Sequence, residues 1–141
     1  MNPIEKWHQI VKTKDISLYD ELLDKDVVFY SPVVFTPQKG IDLTKAYLMA
    51  AGGVFSDKNE SSKEEENKKD SAFRYVKEIV GDKNAILEFE SELNGKYVNG
   101  IDLISWNEEG KITEFKVFIR PLQAVNTLHE MMGKMLERMK G

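Results

Sequence analysis

Cysteine is absent from this chain of 141 residues, and several chemistries are excluded with it. There is no disulfide framework, no thiolate nucleophile and no zinc ribbon. The only histidines are His8 and His129; so far apart, they give no expectation of a transition-metal site. The sequence has neither GxGxxG nor a P-loop, so no nucleotide cofactor is expected. No apolar run is long enough to span a bilayer, and MNPIEKWHQIV lacks the apolar core of a signal peptide. Cytoplasm is the location expected by elimination. Positive charge is not in excess either. A formal net charge of −4 gives no general attraction to nucleic acid or to an anionic membrane, and neither is an expected partner.

What is present reads as one soluble domain spanning 1–141, long enough for a core but too short for two. Asn2 and Pro3 have the form of an N-cap and first helical residue, followed by Ile4, Trp7, His8 and Val11 at helical spacing. Ser17 is placed to cap a second short helix, with Asp20 three residues later. "VVFYSPVVF" (27–35) is β-branched and aromatic, and Pro32 divides it into two short strands or a strand and a bulge. Gly40 and Asp42 introduce a third helix carrying Leu43, Tyr47, Ala50 and Val54 on one face. The stretch 56–70, "SDKNESSKEEENKKD", contains no hydrophobic residue; so polar a segment is expected to be a mobile surface loop. Four strand-like segments follow at 72–80, 84–94, 97–106 and 111–120. Pro121 then opens a final helix (121–139) with Leu122, Val125, Leu128, Met132, Met135 and Met139 in a stripe. The methionines are expected to pack in a core or interface, though methionine also suits adaptable ligand surfaces. Helices, a run of antiparallel strands and a last helix make an α+β pattern, a curved sheet with helices packed on one side.

One acid stands out. In "VNGIDLISW" (98–106), Asp102 lies between Ile101 and Leu103, and the neighbouring turns decide where it points. "LNGK" (93–96) carries Asn-Gly, whose backbone preference suits a two-residue type I′ hairpin turn. Pairing Leu93 with Lys96 places Asp102 opposite Leu87 and Gly100 opposite Phe89. Ala85, Leu87 and Phe89 then occupy one face, with Glu88, Glu90 and Glu92 on the other. A four-residue loop at "NEEG" (107–110) would pair Trp106 with Lys111 and set Asp102 opposite Phe115, with Val117 and Ile119 on the same side. A G1 bulge at Gly110 would shift that second register. Both hairpins direct Asp102 into an apolar face. Burial of a carboxylate there calls for a raised pKa or a dedicated partner. A backbone donor or a tyrosine holding the core together would be the purely structural explanation.

The opposite face carries Tyr97, Asn99, Ile101, Leu103 and Phe118 among Glu88, Glu90, Lys116 and Arg120. It is too apolar for free solvent and too charged for a core. A homodimer joined sheet to sheet is the expected explanation; the alternative is cover by the chain's own last helix.

The Trp-containing first helix, "LLDKDVVFYSPV", "PQKG" before the third helix, and "NGIDLISWNEEGKI" together resemble the nuclear transport factor 2-like superfamily. That superfamily includes SnoaL-like polyketide cyclases and ketosteroid isomerases. The resemblance covers nearly the whole chain apart from 56–70 and the last helix. It implies a cone-shaped curved antiparallel sheet, with N-terminal helices packed on its concave side and a C-terminal helix. Fold does not fix activity. Laid on the ketosteroid isomerases, Asp102 falls where those enzymes keep a protonated aspartic acid in the oxyanion hole. Their general-base aspartate falls on Ser31 and their oxyanion-hole tyrosine on Trp7. A serine cannot shuttle a proton near neutral pH without an activating base, so steroid isomerisation is not expected. The cyclase relatives imply a single pocket acid, a role open to Asp102. The family's epoxide hydrolases imply an Asp–Arg–Asp set; strand parity puts Arg120, the obvious arginine, opposite Tyr97 on the outer face.

The expected pocket is lined by Trp7, His8, Tyr30, Ser31, Tyr47, Leu87, Phe89, Asp102, Phe115, Val117 and Ile119, with Asp102 as the candidate catalytic group. His8 reads as a satisfied core histidine or a residue of the pocket mouth. Ser31 with His8 imitates a nucleophile and base, but no third residue is evident to orient them. Three functions follow from this pattern. The first is binding of a small apolar molecule with Asp102 orienting its polar group. The second is acid/base chemistry (isomerisation, cyclisation or dehydration) with Asp102 assisted by Tyr30, Tyr47 or His8. The third is protein interaction through the sheet or the charged segment. The missing second acid favours binding.

Overall fold

Asn2 opens the first helix with a capping box. Its side chain accepts the Glu5 N–H at 2.8 Å, while the Glu5 carboxylate accepts the Asn2 N–H at 3.1 Å, satisfying two N–H groups that the helix start leaves unpaired. The computed structural model describes residues 2–57 and 73–140. Helix α1 (Pro3–Thr13) buries Ile4, Trp7 and Ile10 and stops at Lys14, whose φ is +63°. A 3₁₀ turn (Ile16–Leu18) and the short α2 (Tyr19–Leu22) follow. The cap here is Asp15, not Ser17. The Asp15 carboxylate accepts the Ser17 N–H at 3.1 Å and hydroxyl at 2.6 Å.

Strand β1 (Leu23–Tyr30) leads to a short β2 (Gln38–Lys39) that pairs back on it at Val28–Lys39. Residues 33–35, expected to continue as strand or bulge, form neither. Pro32 removes a donor, and Pro37 restricts the residue before it. Helix α3 (Ile41–Asp57) follows. It buries Thr44, Leu48, Ala50 and Val54. Leu43, expected on the same face, is exposed. Of the segment 56–70 expected to be a loop, residues 56 and 57 close α3 and the rest lies outside the described residues.

Strands β3 (Arg74–Val80), β4 (Asn84–Leu93), β5 (Lys96–Trp106) and β6 (Ile112–Arg120) complete a six-stranded curved sheet in the order β2-β1-β6-β5-β4-β3. The sheet is mixed, not wholly antiparallel: β1 runs parallel to β6, with Phe29 beside Phe115 and Tyr30 beside Lys116. The β4–β5 hairpin has the expected register, Leu93–Lys96, Phe89–Gly100 and Leu87–Asp102. Asn94 and Gly95 supply the positive φ angles of +51° and +78° that its turn requires.

The β5–β6 register differs from expectation. Trp106 pairs with Ile112, and a bulge before the next pair sets Asp102 opposite Val117 and Gly100 opposite Ile119. The side chain of Asn107 holds this turn by accepting the N–H groups of Glu109 and Lys111, lengthening the loop by one residue. The bulge adds a second. A shift of two leaves every side chain on its expected face, so Asp102 still points inward.

Gly100 lets the Phe89 ring lie across strand β5. A Cβ there would fall 2.4 Å from the Phe118 carbonyl and 2.7 Å from the Phe89 ring, so the ring crosses the strand where only glycine leaves room. The inner face carries the core: Leu87, Phe89, Val98, Ile104 and Phe115 are buried beneath the helices. Helix α4 (Leu122–Lys140) is likewise on this side, packing Ala124, Leu128 and Met132 with Ala50, Val54 and Val98. Leu122 and Met139, expected in its apolar stripe, are exposed. No helix among the described residues is long and apolar enough to cross a membrane.

Candidate functional site

The inner face is not filled completely. Between the sheet and helices α1, α3 and α4 lies a cavity of about 570 Å³, within the range of small-molecule sites. One wall is a chain of aromatic rings: Phe55 against Phe73 at 5.1 Å between centroids, and Phe73 stacked on Phe89 at 4.9 Å. Trp7 and Phe115, edge to face at 4.8 Å, form another. Val117 and Ile119 from β6, with Met49 and Met132 from the helices, complete a lining that is mostly apolar.

Asp102 opens onto this space while only 5% exposed. Its position follows from β5 alternation and the Asn94-Gly95 turn. Its partner is Tyr75, whose hydroxyl donates to Asp102 Oδ2 at 2.5 Å and accepts the Trp7 Nε1–H at 2.9 Å. Three elements thus supply one chain of hydrogen bonds: Trp7 from α1, Tyr75 from β3 and Asp102 from β5. Among the described residues nothing else hydrogen-bonds to the Asp102 carboxyl. Burial pushes its pKa up to about 7, the Tyr75 hydrogen bond offsetting only part of that rise. Tyr75 is held well above the ordinary tyrosine value, first by burial and then by the charge of Asp102. Near neutral pH the chain therefore runs from an indole donor through an un-ionised phenol to a carboxyl poised between its two forms.

Seven of the expected residues line the cavity: Trp7, Ser31, Phe89, Asp102, Phe115, Val117 and Ile119. Four do not. Tyr30 lies on the outer side with the Lys116 ammonium 4.6 Å from its ring centre. His8 engages Glu78 at the β3 edge. Tyr47 packs on Phe29 at 5.7 Å, and Leu87 is fully buried in the core. Ser31 and His8 do not form a nucleophile–base pair: His8 engages Glu78, and the Ser31 hydroxyl accepts the Val33 N–H. Arg120 donates to Asn99 Oδ1 on the outer face, as strand parity requires.

Tyr75 is the Asp102 partner that sequence reasoning missed, along with Phe55 and Phe73 of the cavity wall. For Phe73 and Tyr75 the signal was present. In "FRYVKEIV", Phe73 and Tyr75 are two apart, and pairing Tyr75 with Phe89 puts both on the inner face.

No protein-family model and no curated protein sequence matches the chain. Solved structures do. A steroid delta-isomerase from Pseudomonas aeruginosa superposes with a TM-score of 0.82 at 27% identity, covering 96% of this chain and 90% of that one. An uncharacterised bacterial protein with a cystatin-like fold from Silicibacter pomeroyi gives 0.77 at 31% identity, covering 94% and 83%. An NTF2-like protein of unknown function from Mesorhizobium loti gives 0.65 at 14% identity, covering 84% and 88%, which bears on fold alone. The chain belongs to the NTF2-like superfamily. Its cone is the architecture of ligand-binding, isomerase and cyclase members alike, so the activity has to be argued from the site.

Proposed function

We propose that this NTF2-like protein binds a small, largely apolar molecule in its cavity, with Asp102 at the polar end. The observation that carries this is a buried carboxyl that opens onto an aromatic-lined space and has Tyr75 as its one hydrogen-bond partner among the described residues. A buried polar group with spare hydrogen-bonding capacity is costly to leave unmatched. A carbonyl or hydroxyl oxygen on a ligand would match it. Below pH 7 the protonated acid donates to such an oxygen; above pH 7 it can only accept. The test is titration with 2-decalone and its hydrocarbon decalin at pH 5.5 and 8.5, followed by the emission of Trp7 in the Trp106→Phe protein. Binding of the ketone that weakens at the higher pH, and loses that dependence in Asp102→Asn, is the expected result. No binding of either compound would contradict the proposal.

The pKa of about 7 favours a second reading, acid/base catalysis of the isomerase or cyclase kind. A group titrating at the working pH is well matched to proton transfer. Likeness to the steroid delta-isomerase is compatible with it, although Ser31 stands where a second acid would be needed. Incorporation of deuterium from D₂O next to the carbonyl of 2-decalone, by the native protein but not by Asp102→Asn, would establish that reading. Binding without exchange would leave a binding protein.

The outer face supports a homodimer as the working assembly, through Tyr97, Asn99, Ile101, Leu103 and Phe118. Tyr97 and Phe118 are 51% and 48% exposed in the single chain, and a second sheet would cover them.

A further inference from the structure

The cavity has a second polar pole, opposite in sign to the first. Where Asp102 is buried, Lys12 and Lys14 line the cavity from exposed positions, beside the exposed Ile16. Among the described residues neither lysine forms an ion pair, and Asp102 is the only acid in the lining. The nearest acid in sequence, Asp15, turns its carboxylate to the Ser17 N–H and hydroxyl instead. Lys12 sits in the last turn of α1, where a cation complements the helix dipole, and that explains one lysine. Lys14, the C-cap of the same helix, shares that benefit, but the dipole sets no requirement that either side chain border a cavity. Lys14 has a φ of +63°, a conformation usually given to glycine or asparagine at the end of a helix, yet the position holds a long cationic side chain beside the opening.

Resting on the binding reading above, we infer that the ligand is an amphipathic anion: an apolar ring or chain inside the cavity, its anionic group held at the mouth by Lys12 and Lys14. The apolar body contacts the wall of Phe55, Phe73 and Phe89. An oxygen at the inner end meets Asp102. The two lysines also assign an orientation, since an anion entering head first would meet aromatic rings and a carboxyl.

The test uses two dyes with the same ring frame, the anionic 8-anilino-1-naphthalenesulfonate and the neutral N-phenyl-1-naphthylamine. Each is titrated into the Trp106→Phe protein, so that quenching reports Trp7 in the cavity wall, and into the same protein carrying Lys12→Gln and Lys14→Gln. Two exposed charges within contact range of an anion are worth on the order of tenfold in affinity at low salt. The expected result is a loss of that size for the sulfonate in the double variant, shrinking as salt is added, with the neutral dye unaffected. If the neutral dye binds both proteins and the sulfonate binds equally or not at all, the anionic class is wrong and the cavity reading stands. If neither dye binds either protein, both readings fall.

Discussion

Two buried polar side chains sit three residues apart on β5, and they meet opposite fates. Asn99, 8% exposed on the outer face, is saturated. Its amide donates to Glu88 Oε2 and to the Phe89 carbonyl, both at 3.0 Å, and its oxygen accepts from Arg120 at 3.2 Å. Asp102, equally enclosed on the inner face, has Tyr75 alone and opens onto a cavity. Similar burial on one strand therefore means different things. A polar group whose partners all come from its own sheet holds that sheet together; one left half-matched above an apolar cavity has capacity for a ligand.

The largest expected effect comes from Gly100, one of the two residues between them. Gly100→Ala would drive a Cβ into the Phe118 carbonyl and the Phe89 ring, disturbing the β5–β6 pairing and the inner face at once. A loss of about 3 kcal/mol in urea unfolding is expected, at the upper end of overpacking costs. Next is Asn99→Leu, which leaves Glu88 and Arg120 without their shared amide. It should cost about 1–3 kcal/mol and leave dye binding in the cavity unchanged.

Asp102→Asn should act through pH. The folded-state pKa is raised from 3.8 to about 7, so between those values the folded protein holds a proton that the unfolded chain has released. Stability of the native protein should therefore fall as pH rises from about 5 to 7, by up to about 1.4 kcal/mol per pH unit from this group. In Asp102→Asn that component should vanish, making the variant the more stable of the two at pH 8. Tyr75→Phe should cost about 1 kcal/mol. It should also raise the Asp102 midpoint further, because the hydrogen bond it removes favours the ionised form. The smallest effect on the single chain belongs to Phe118→Glu, half exposed on the outer face, with a stability change within about 0.5 kcal/mol. Sedimentation should nevertheless show it as monomeric if the outer face joins two chains.

The same comparison shows which contacts could be read from the sequence. Asp102 could be placed because its face depends on one local turn, Asn94-Gly95, and on strict alternation. The β5–β6 bulge was not legible, since Asn107 accepting two backbone N–H groups leaves no periodic trace. Its two-residue shift happened to preserve parity. Tyr30 was misplaced for a different reason: its face depends on a parallel pairing with β6, and no turn sets the register of strands so far apart in sequence. Tyr75 lay on a recognised strand, but its pairing with Phe89 passes through a bulge. Helix burial failed at Leu43, Leu122 and Met139 because apolar spacing names a stripe without saying where the neighbouring layer ends.

Titration of the Asp102 side-chain carboxyl by carbon-13 NMR tests the central claim most directly. A midpoint near pH 7 in the native protein, moved further up in Tyr75→Phe, is what a buried, half-matched acid above an open cavity predicts. A midpoint near 4, indifferent to the loss of the Tyr75 hydroxyl, would show Asp102 to be solvated or fully paired, and would contradict the account.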